Sequence, residues 1–209
     1  MSDLVHARVV DRLQQLRLPH VAERLDALLS AAAKSDATYL DFLDVILAEE
    51  VASKQSKRVQ MGIQIAHFPS TKHLEDFDFK FQPSVDGKLV RELATGRFVP
   101  LAENILLFGP PGVGKTHLAM GLGRAVVEAG HSVLFTTATS LITSLAKAES
   151  DGTLAEKLTY FSKPKLLIVD ELGYLPFERR SAHLFFQLVN RRYERSSTMI
   201  TTAGCSLIR

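Results

Sequence analysis

Five residues between positions 109 and 116 have the types and the spacing of a phosphate-binding loop. Gly109, Gly112, Gly114, Lys115 and Thr116 fill every fixed position of the pattern G-x-x-x-x-G-K-[ST]. Glycines let successive backbone N–H groups turn inward around an anion, and the helix that follows directs its positive end at the same point. We expect Lys115 to reach the β- and γ-phosphates of a nucleoside triphosphate and the Thr116 hydroxyl to take one position on Mg²⁺. The predicted nucleotide contacts are Gly109, Pro110, Pro111, Gly112, Val113, Gly114, Lys115, Thr116 and His117.

Two adjacent carboxylates follow a second apolar run. The run 166–169 has strand length and delivers Asp170 and Glu171 to its C-terminal end, where open α/β sheets bind their ligands. We expect Asp170 to hold Mg²⁺ through water and Glu171 to polarise the water that attacks the γ-phosphate. An ordinary surface pair of carboxylates is the alternative. Their position about 55 residues after the loop favours metal-assisted hydrolysis, with Lys115 and Glu171 as the catalytic residues.

The elements around these residues alternate between strands and helices. The run before the loop is apolar at every position, which is typical of a strand covered on both faces of a parallel sheet. The predicted strands are 105–108, 132–137, 166–169 and 198–202, and the predicted helices are 115–129, 140–147, 153–161 and 180–194. The alternation predicts an α/β fold, in which a parallel sheet is flanked by helices.

The N-terminal third has helical periodicity throughout. Apolar residues recur at helical spacing over 4–18, over 19–34 and from 38 to about 63, with Pro19 in the first turn of the second helix. Thr38 and Asp41 resemble a capping box at the start of the third helix. The periodicity lapses over 67–100, where prolines and glycines punctuate the chain. We predict a helical N-terminal domain at 1–66, a linker at 67–100 and an ATPase core at 101–209.

Three phenylalanines alternate with charged residues within the linker. Phe77, Phe79 and Phe81 have the spacing of one side of an extended strand. They are expected to pack on the core of the next domain. The alternative is that one ring, or a backbone segment near it, borders the adenine of the nucleotide.

A cluster of cations lies in the second half of the long third helix. Lys54, Lys57 and Arg58 follow an acidic first half, an arrangement that the helix dipole favours. The cluster is therefore either a solvated face or a surface that contacts the phosphates of duplex DNA without reading its sequence.

Composition sets the general class of protein. The chain has 209 residues, 46% of them hydrophobic, and a formal net charge of +2, so any nucleic-acid site must be local. Cys205 is the single cysteine, which excludes an internal disulfide and fits a reducing compartment. The N-terminus lacks the apolar core of a signal peptide, and no apolar run approaches the roughly 18 residues of a membrane span. We expect a cytoplasmic protein that contacts no membrane.

Several stretches together resemble one family. GPPGVGKTHLA at 109–119, LLIVDELGYLPFE at 166–178, RRYERSST at 191–198 and LEDFDF at 74–79 are similar to the IstB-like transposition helpers, relatives of the DnaC-type helicase loaders within the AAA+ P-loop ATPases. With the helical N-terminus, the resemblance covers residues 1–202.

The resemblance implies an ATP-dependent regulator that assembles on DNA and cooperates with the transposase of the same insertion sequence. In such families Gly112, Gly114, Lys115 and Thr116 bind ATP and Mg²⁺, Asp170 binds the metal and Glu171 activates water. It also implies a helical N-terminal module that engages double-stranded DNA or partners, and self-assembly that places ATP between subunits.

The sequence departs from the family pattern near its end. Ala203 stands where the family has an asparagine that senses the γ-phosphate and orients the attacking water. The resemblance is expected to stop after Thr202, leaving out the C-terminal helical lid and the arginine that a neighbouring subunit supplies. We expect a frameshifted or truncated gene copy, or a natural short form, in which hydrolysis is impaired.

Three other functions compete with the transposition helper. A loader of a replicative helicase would use the same ATP site. A small-molecule P-loop kinase would need an arginine-rich lid and an acceptor pocket, and neither is evident after Glu171. A module that binds nucleotide without hydrolysing it would fit the departure at Ala203.

Overall fold

The computed structural model describes residues 2–35, 37–174 and 179–203. Contacts between Cα atoms divide the chain into two compact units, residues 1–60 and 61–209. This division falls inside the third helix rather than at its end. The predicted ranges 1–66, 67–100 and 101–209 remain predictions.

The first unit consists of helices. They are α1 (Ser2–Gln15), α2 (Pro19–Lys34) and the greater part of α3 (Tyr39–Ala66). Pro19 begins α2 as predicted, since the missing N–H of proline is an unpaired group in a first turn anyway. The predicted capping box is confirmed: the Thr38 N–H donates to Asp41 Oδ2 (2.9 Å), and the Asp41 N–H donates to Thr38 Oγ1 (3.2 Å).

A buried carboxylate joins α3 to the start of α2. Glu50 is 3% exposed, and its Oε2 accepts the backbone N–H of Val21 at 3.1 Å. The N-cap residue of α2, Leu18, has no side chain that could accept such a bond. Glu50 therefore caps α2 from another helix, at the end where the helix dipole favours a negative charge.

A four-stranded parallel sheet organises the second unit. Its strands are β1 (Ile105–Phe108), β2 (Val133–Thr137), β3 (Leu166–Asp170) and β4 (Ser197–Thr202), in the order β1-β4-β3-β2. The helices between them are α5 (Lys115–Glu128), α6 (Ala138–Ser150), α7 (Leu154–Ser162) and α8 (Arg179–Arg192). All five residues of β3 are buried, as the sequence predicts for an inner strand of such a sheet.

The first strand differs from its prediction. Ile105 and Leu107 are buried, but Leu106 is 37% exposed. The reason is topological: among the described strands β1 pairs only with β4, so it lies at the edge of the sheet. Apolar sequence alone does not distinguish an edge strand from an inner one.

The segment before β1 holds two short helices, a 3-10 helix at Leu74–Asp76 and α4 (Gly87–Ala94).

The prediction that Phe77, Phe79 and Phe81 share one side of a strand is wrong. The Asp78 side chain accepts the backbone N–H groups of Lys80 (2.9 Å) and Phe81 (3.1 Å), which bends the chain. Phe77 is buried, and Phe81 is 73% exposed.

A buried guanidinium joins the N-terminal ends of β3 and β4, opposite the strand ends that carry the phosphate loop and Asp170. Arg192, 2% exposed, donates hydrogen bonds to the carbonyls of Phe161, Pro164 and Ser197. Burial lowers the pKa of Arg192 to about 10, so the group remains charged at neutral pH. Within the described residues, no helix is long and apolar enough to cross a membrane.

Candidate functional site

The phosphate-binding loop connects β1 to α5 and depends on glycine at two positions. Gly112 and Gly114 have φ values of 82° and 89°, in the left-handed region that other residues rarely adopt. At Gly114 space is also short, because a Cβ there would lie 2.6 Å from Cε2 of Phe77. The linker phenylalanine therefore packs directly against the loop.

The Lys115 side chain folds back over the loop. Its Nζ donates hydrogen bonds to the carbonyls of Gly109 and Pro110, both at 2.7 Å. These bonds hold the ammonium beside the left-handed turns of the loop. A phosphate bound there could replace the two neutral acceptors with charged oxygens, which form stronger bonds.

The second motif meets the loop at Thr116. The Thr116 hydroxyl lies 3.0 Å from both carboxylate oxygens of Asp170, at the end of β3. Asp170 is 4% exposed. A hydroxyl and a carboxylate are hard oxygen donors of the kind that Mg²⁺ prefers. The described residues include no group of three or more His, Cys, Asp or Glu placed to hold a metal. The pair fits an ion that takes its remaining ligands from phosphates and water.

Glu171 occupies an unusual backbone conformation. Its φ is 62°, and its N–H donates to Thr201 Oγ1 at 2.9 Å. Its side chain is exposed, whereas that of Asp170 is buried. The structure thus places an exposed carboxylate directly after a buried one, and the roles of Asp170 on Mg²⁺ and of Glu171 on water remain predictions.

Thr201 belongs to the site and was missed in the sequence. Its hydroxyl bonds both Asp170 and Glu171, and the residue is 1% exposed. The only signal was its position near the C-terminal end of a predicted strand. Its strand lies between those of the loop and of Asp170, an order that the sequence does not reveal.

A mainly apolar pocket of about 210 Å³ lies beside the loop. Its lining includes Gln82, Ser84, Val85, Leu107, Phe108, Gly109, Pro110, Val113, Lys115 and Leu118. Ligand sites are typically apolar pockets with a few polar groups, so this pocket is a candidate for the base of a nucleotide whose phosphates lie on the loop. The linker contributes the segment 82–85 to it, and Phe77 is not among the lining residues.

His117 faces the linker. Its Nε2 lies 2.7 Å from the His73 carbonyl, so this nitrogen carries the proton. Its ring meets that of Phe77 edge to face, with the centroids 5.5 Å apart. His117 does not line the pocket, and its role as a nucleotide contact remains a prediction.

A family model matches most of the chain. The model of the IstB-like ATP-binding proteins matches residues 11–206. The match continues past Thr202, so the expectation that the resemblance stops there is wrong. The residues after Ala203 lie outside those the structure describes.

Named relatives belong to insertion sequences. The chain is 45% identical to a protein named as the ATP-binding protein of insertion sequence IS21 of Pseudomonas aeruginosa, over 91% of this chain and 72% of the relative. It is 40% identical to the corresponding IS5376 protein of Geobacillus stearothermophilus, over 93% of this chain and 78% of the relative.

Solved structures share the fold. The crystal structure of the DnaC helicase loader aligns with a TM-score of 0.53 and 26% identity, covering 57% of this chain and 69% of the loader. DnaA of Aquifex aeolicus, bound to AMPPCP, aligns with a TM-score of 0.56 and 23% identity, over 65% of this chain and 43% of that chain, which shows a common fold. The predicted P-loop fold of the AAA+ type is confirmed, and the chain belongs to the IstB-like ATP-binding protein family.

Proposed function

We propose that this chain binds ATP with Mg²⁺ and acts as a helper protein in the transposition of an insertion sequence. The observation that carries the ATP site is the contact between Thr116 and Asp170, which joins the phosphate loop to the acidic end of β3. The two sequence motifs thus form one site, with room for a base in the pocket beside Val85 and Val113.

Each residue has a distinct proposed role. The loop amides and Lys115 bind the phosphates, while Thr116 and Asp170 hold Mg²⁺. Bound Mg²⁺ supplies charge neutralisation at the phosphates. Glu171 accepts a proton from the water that attacks the γ-phosphate. The left-handed φ of Glu171 supports this role, since unfavourable backbone conformations concentrate at functional sites.

The transposition role is supported by the relatives, which are named as ATP-binding proteins of insertion sequences. We propose that the chain binds double-stranded DNA without sequence preference, self-assembles and cooperates with the transposase of the same element. The exposed cations Lys54, Lys57 and Arg58 on α3 support a DNA contact. A cytoplasmic location accords with a single cysteine.

A loader of a replicative helicase is the second candidate. It is favoured by the likeness to the DnaC helicase loader. Affinity capture from cell extract with ATP and Mg²⁺ distinguishes the two, because recovery of a transposase supports the helper and recovery of a replicative helicase supports the loader.

The ATP site itself is tested by titration with a fluorescent ATP analogue. Lys115→Ala should abolish or greatly weaken binding, because it removes the cation nearest the β- and γ-phosphates. Lys163→Ala is the control, since Lys163 is an exposed lysine that does not line the pocket by the loop. Equal affinity in Lys115→Ala and the parent chain would contradict the proposed site.

A further inference from the structure

Thr201 connects the two carboxylate-bearing residues of the site. Its side chain, on β4, is 1% exposed. The hydroxyl oxygen lies 2.5 Å from Asp170 Oδ1 and 2.9 Å from the backbone nitrogen of Glu171. One buried hydroxyl therefore contacts both residues.

The direction of these bonds follows from their chemistry. The Glu171 N–H can only donate, so the Thr201 oxygen accepts that bond. The hydroxyl proton remains free to be donated, and the Asp170 carboxylate is its acceptor. Both bonds can therefore exist at once, and the loss of the hydroxyl removes both.

Thr201 differs from Thr116, the other hydroxyl on Asp170. Thr116 lies at the start of α5, directly after the phosphate loop, and is itself a proposed ligand of Mg²⁺. Thr201 belongs to the sheet, whose strands β3 and β4 are paired side by side. The anchor that Thr201 provides for Asp170 is thus independent of the loop.

The turn that follows Glu171 also packs against the C-terminal end of β4, at Gly173. A Cβ at Gly173 would lie 2.6 Å from Thr202 Oγ1 and 3.0 Å from the Ala203 nitrogen. Gly173 therefore lies directly against the end of β4. Between these contacts, Glu171 has a φ of 62°, a conformation that a residue other than glycine rarely adopts unless its surroundings fix it.

We propose that Thr201 is a positioning residue for ATP hydrolysis. It fixes the Asp170 carboxylate for Mg²⁺ and the backbone from which the Glu171 side chain projects. This inference rests on the proposed ATP site and adds a residue outside both motifs. Partners that orient a metal ligand typically account for 10- to 100-fold in metal affinity.

The test compares Thr201→Val, which keeps the shape and loses the hydroxyl, with Thr201→Ser, which keeps the hydroxyl. Thr136→Val is the matched control: Thr136 lies on β2, the strand on the other side of β3, and its hydroxyl donates to the Thr137 carbonyl. Binding of a fluorescent ATP analogue is measured with EDTA and across a Mg²⁺ titration. Amide hydrogen exchange at Glu171 is measured without nucleotide.

We expect Thr201→Val to keep the affinity measured in EDTA and to need about 10- to 100-fold more Mg²⁺. Its Glu171 amide should exchange faster, and Thr201→Ser should restore both properties. A Mg²⁺ requirement of Thr201→Val equal to that of the parent and of Thr136→Val would overturn the role of Thr201 alone. A parent chain that binds no ATP would overturn the proposed function, and this inference with it.

Discussion

The hydroxyl of Thr116 lies 3.0 Å from each carboxylate oxygen of Asp170, although 54 positions of sequence separate the two residues. A threonine hydroxyl has one proton and two lone pairs, so Thr116 can donate to Asp170 and still offer its oxygen to a cation. Asp170 would then act on Mg²⁺ through Thr116 and water, whereas the exposed Glu171 is free to act on the attacking water. The two carboxylates should therefore respond differently to mutation.

Asp170→Asn should lower the affinity of the site for Mg²⁺, because an amide carries no charge to attract the cation. Mg²⁺ should therefore strengthen ATP binding less than it does in the parent chain. Glu171→Gln should bind ATP and Mg²⁺ as the parent does and lower single-turnover hydrolysis by about 10²- to 10⁴-fold, the usual contribution of a general base. A single-turnover assay, with labelled ATP and the protein in excess, measures the loss of hydrolysis in Glu171→Gln. Loss of nucleotide binding in Glu171→Gln would contradict the role of Glu171.

Replacing loop glycines by alanine should separate backbone strain from steric conflict. Gly112 and Gly114 have similar positive φ, but a Cβ at Gly112 has no heavy atom within 4 Å, whereas one at Gly114 meets Phe77. Gly112→Ala should lower the free energy of unfolding by about 1–2 kcal/mol. Gly114→Ala should cost about 1–3 kcal/mol more.

Urea denaturation measures both losses. Phe77→Leu, which trims the contacting ring, should recover part of the loss in Gly114→Ala and none of that in Gly112→Ala. An equal effect of Phe77→Leu in both backgrounds would show that the ring does not restrict position 114.

The capping box of α3 should respond to pH. Side-chain and backbone hydrogen bonds from Thr38 lower the pKa of Asp41 below its usual 3.8. The folded state therefore binds fewer protons than the unfolded state around that pH. The stabilisation by Asp41 is present above pH 3.8 and is lost as the pH falls through the lowered pKa. NMR titration of the Asp41 carboxyl should give a value below 3.8 in the parent chain and a higher value in Thr38→Ala.

DNA affinity should fall steeply with salt if the cations on α3 contact phosphates. The combined variant Lys54→Glu, Lys57→Glu and Arg58→Glu should reduce the slope of log affinity against log salt by about 2–3, because each phosphate contact contributes about 0.9. The control variant reverses Lys72, Lys80 and Lys88, which are exposed cations on the linker, and so changes the net charge equally. If the slope of log affinity against log salt were equal in the two variants, Lys54, Lys57 and Arg58 would belong to a solvated face.

The sequence predicts the strands and helices well because their signals are local. An apolar run followed by a glycine-rich loop predicts a strand at 105–108 and a helix that starts at Lys115. Both predictions agree with the structure. The exposure of Leu106 could not be predicted, since it depends on which strand becomes an edge. The bend at Asp78 was missed because alternating phenylalanines imitate the period of a strand.

The candidate site shows the same limit. Thr116 and Asp170 were recognisable because each belongs to a motif with fixed spacing. Thr201 has no motif and acquires its role from the placement of β4 between β1 and β3. Predicting such a residue needs the order of the strands as well as their positions in the sequence.

The last prediction concerns Ala203, where the resemblance to the IstB-like helpers implies an asparagine. The Ala203 backbone lies beside Gly173, in the turn that follows Glu171, which brings position 203 close to the segment that carries the proposed base. Alanine offers no hydrogen bond to the γ-phosphate or to the attacking water. We therefore expect the parent chain to bind ATP and hydrolyse it very slowly, with little stimulation by duplex DNA.

Ala203→Asn should raise single-turnover hydrolysis at least about tenfold, since one well-placed donor in an active site contributes that much or more. Ala203→Leu has nearly the same shape without the amide and should give no increase. Adding Glu171→Gln to Ala203→Asn should remove the gain, because the amide orients a water that still needs its base. Brisk hydrolysis by the parent chain that Glu171→Gln abolishes would show instead that this site works without an amide at position 203.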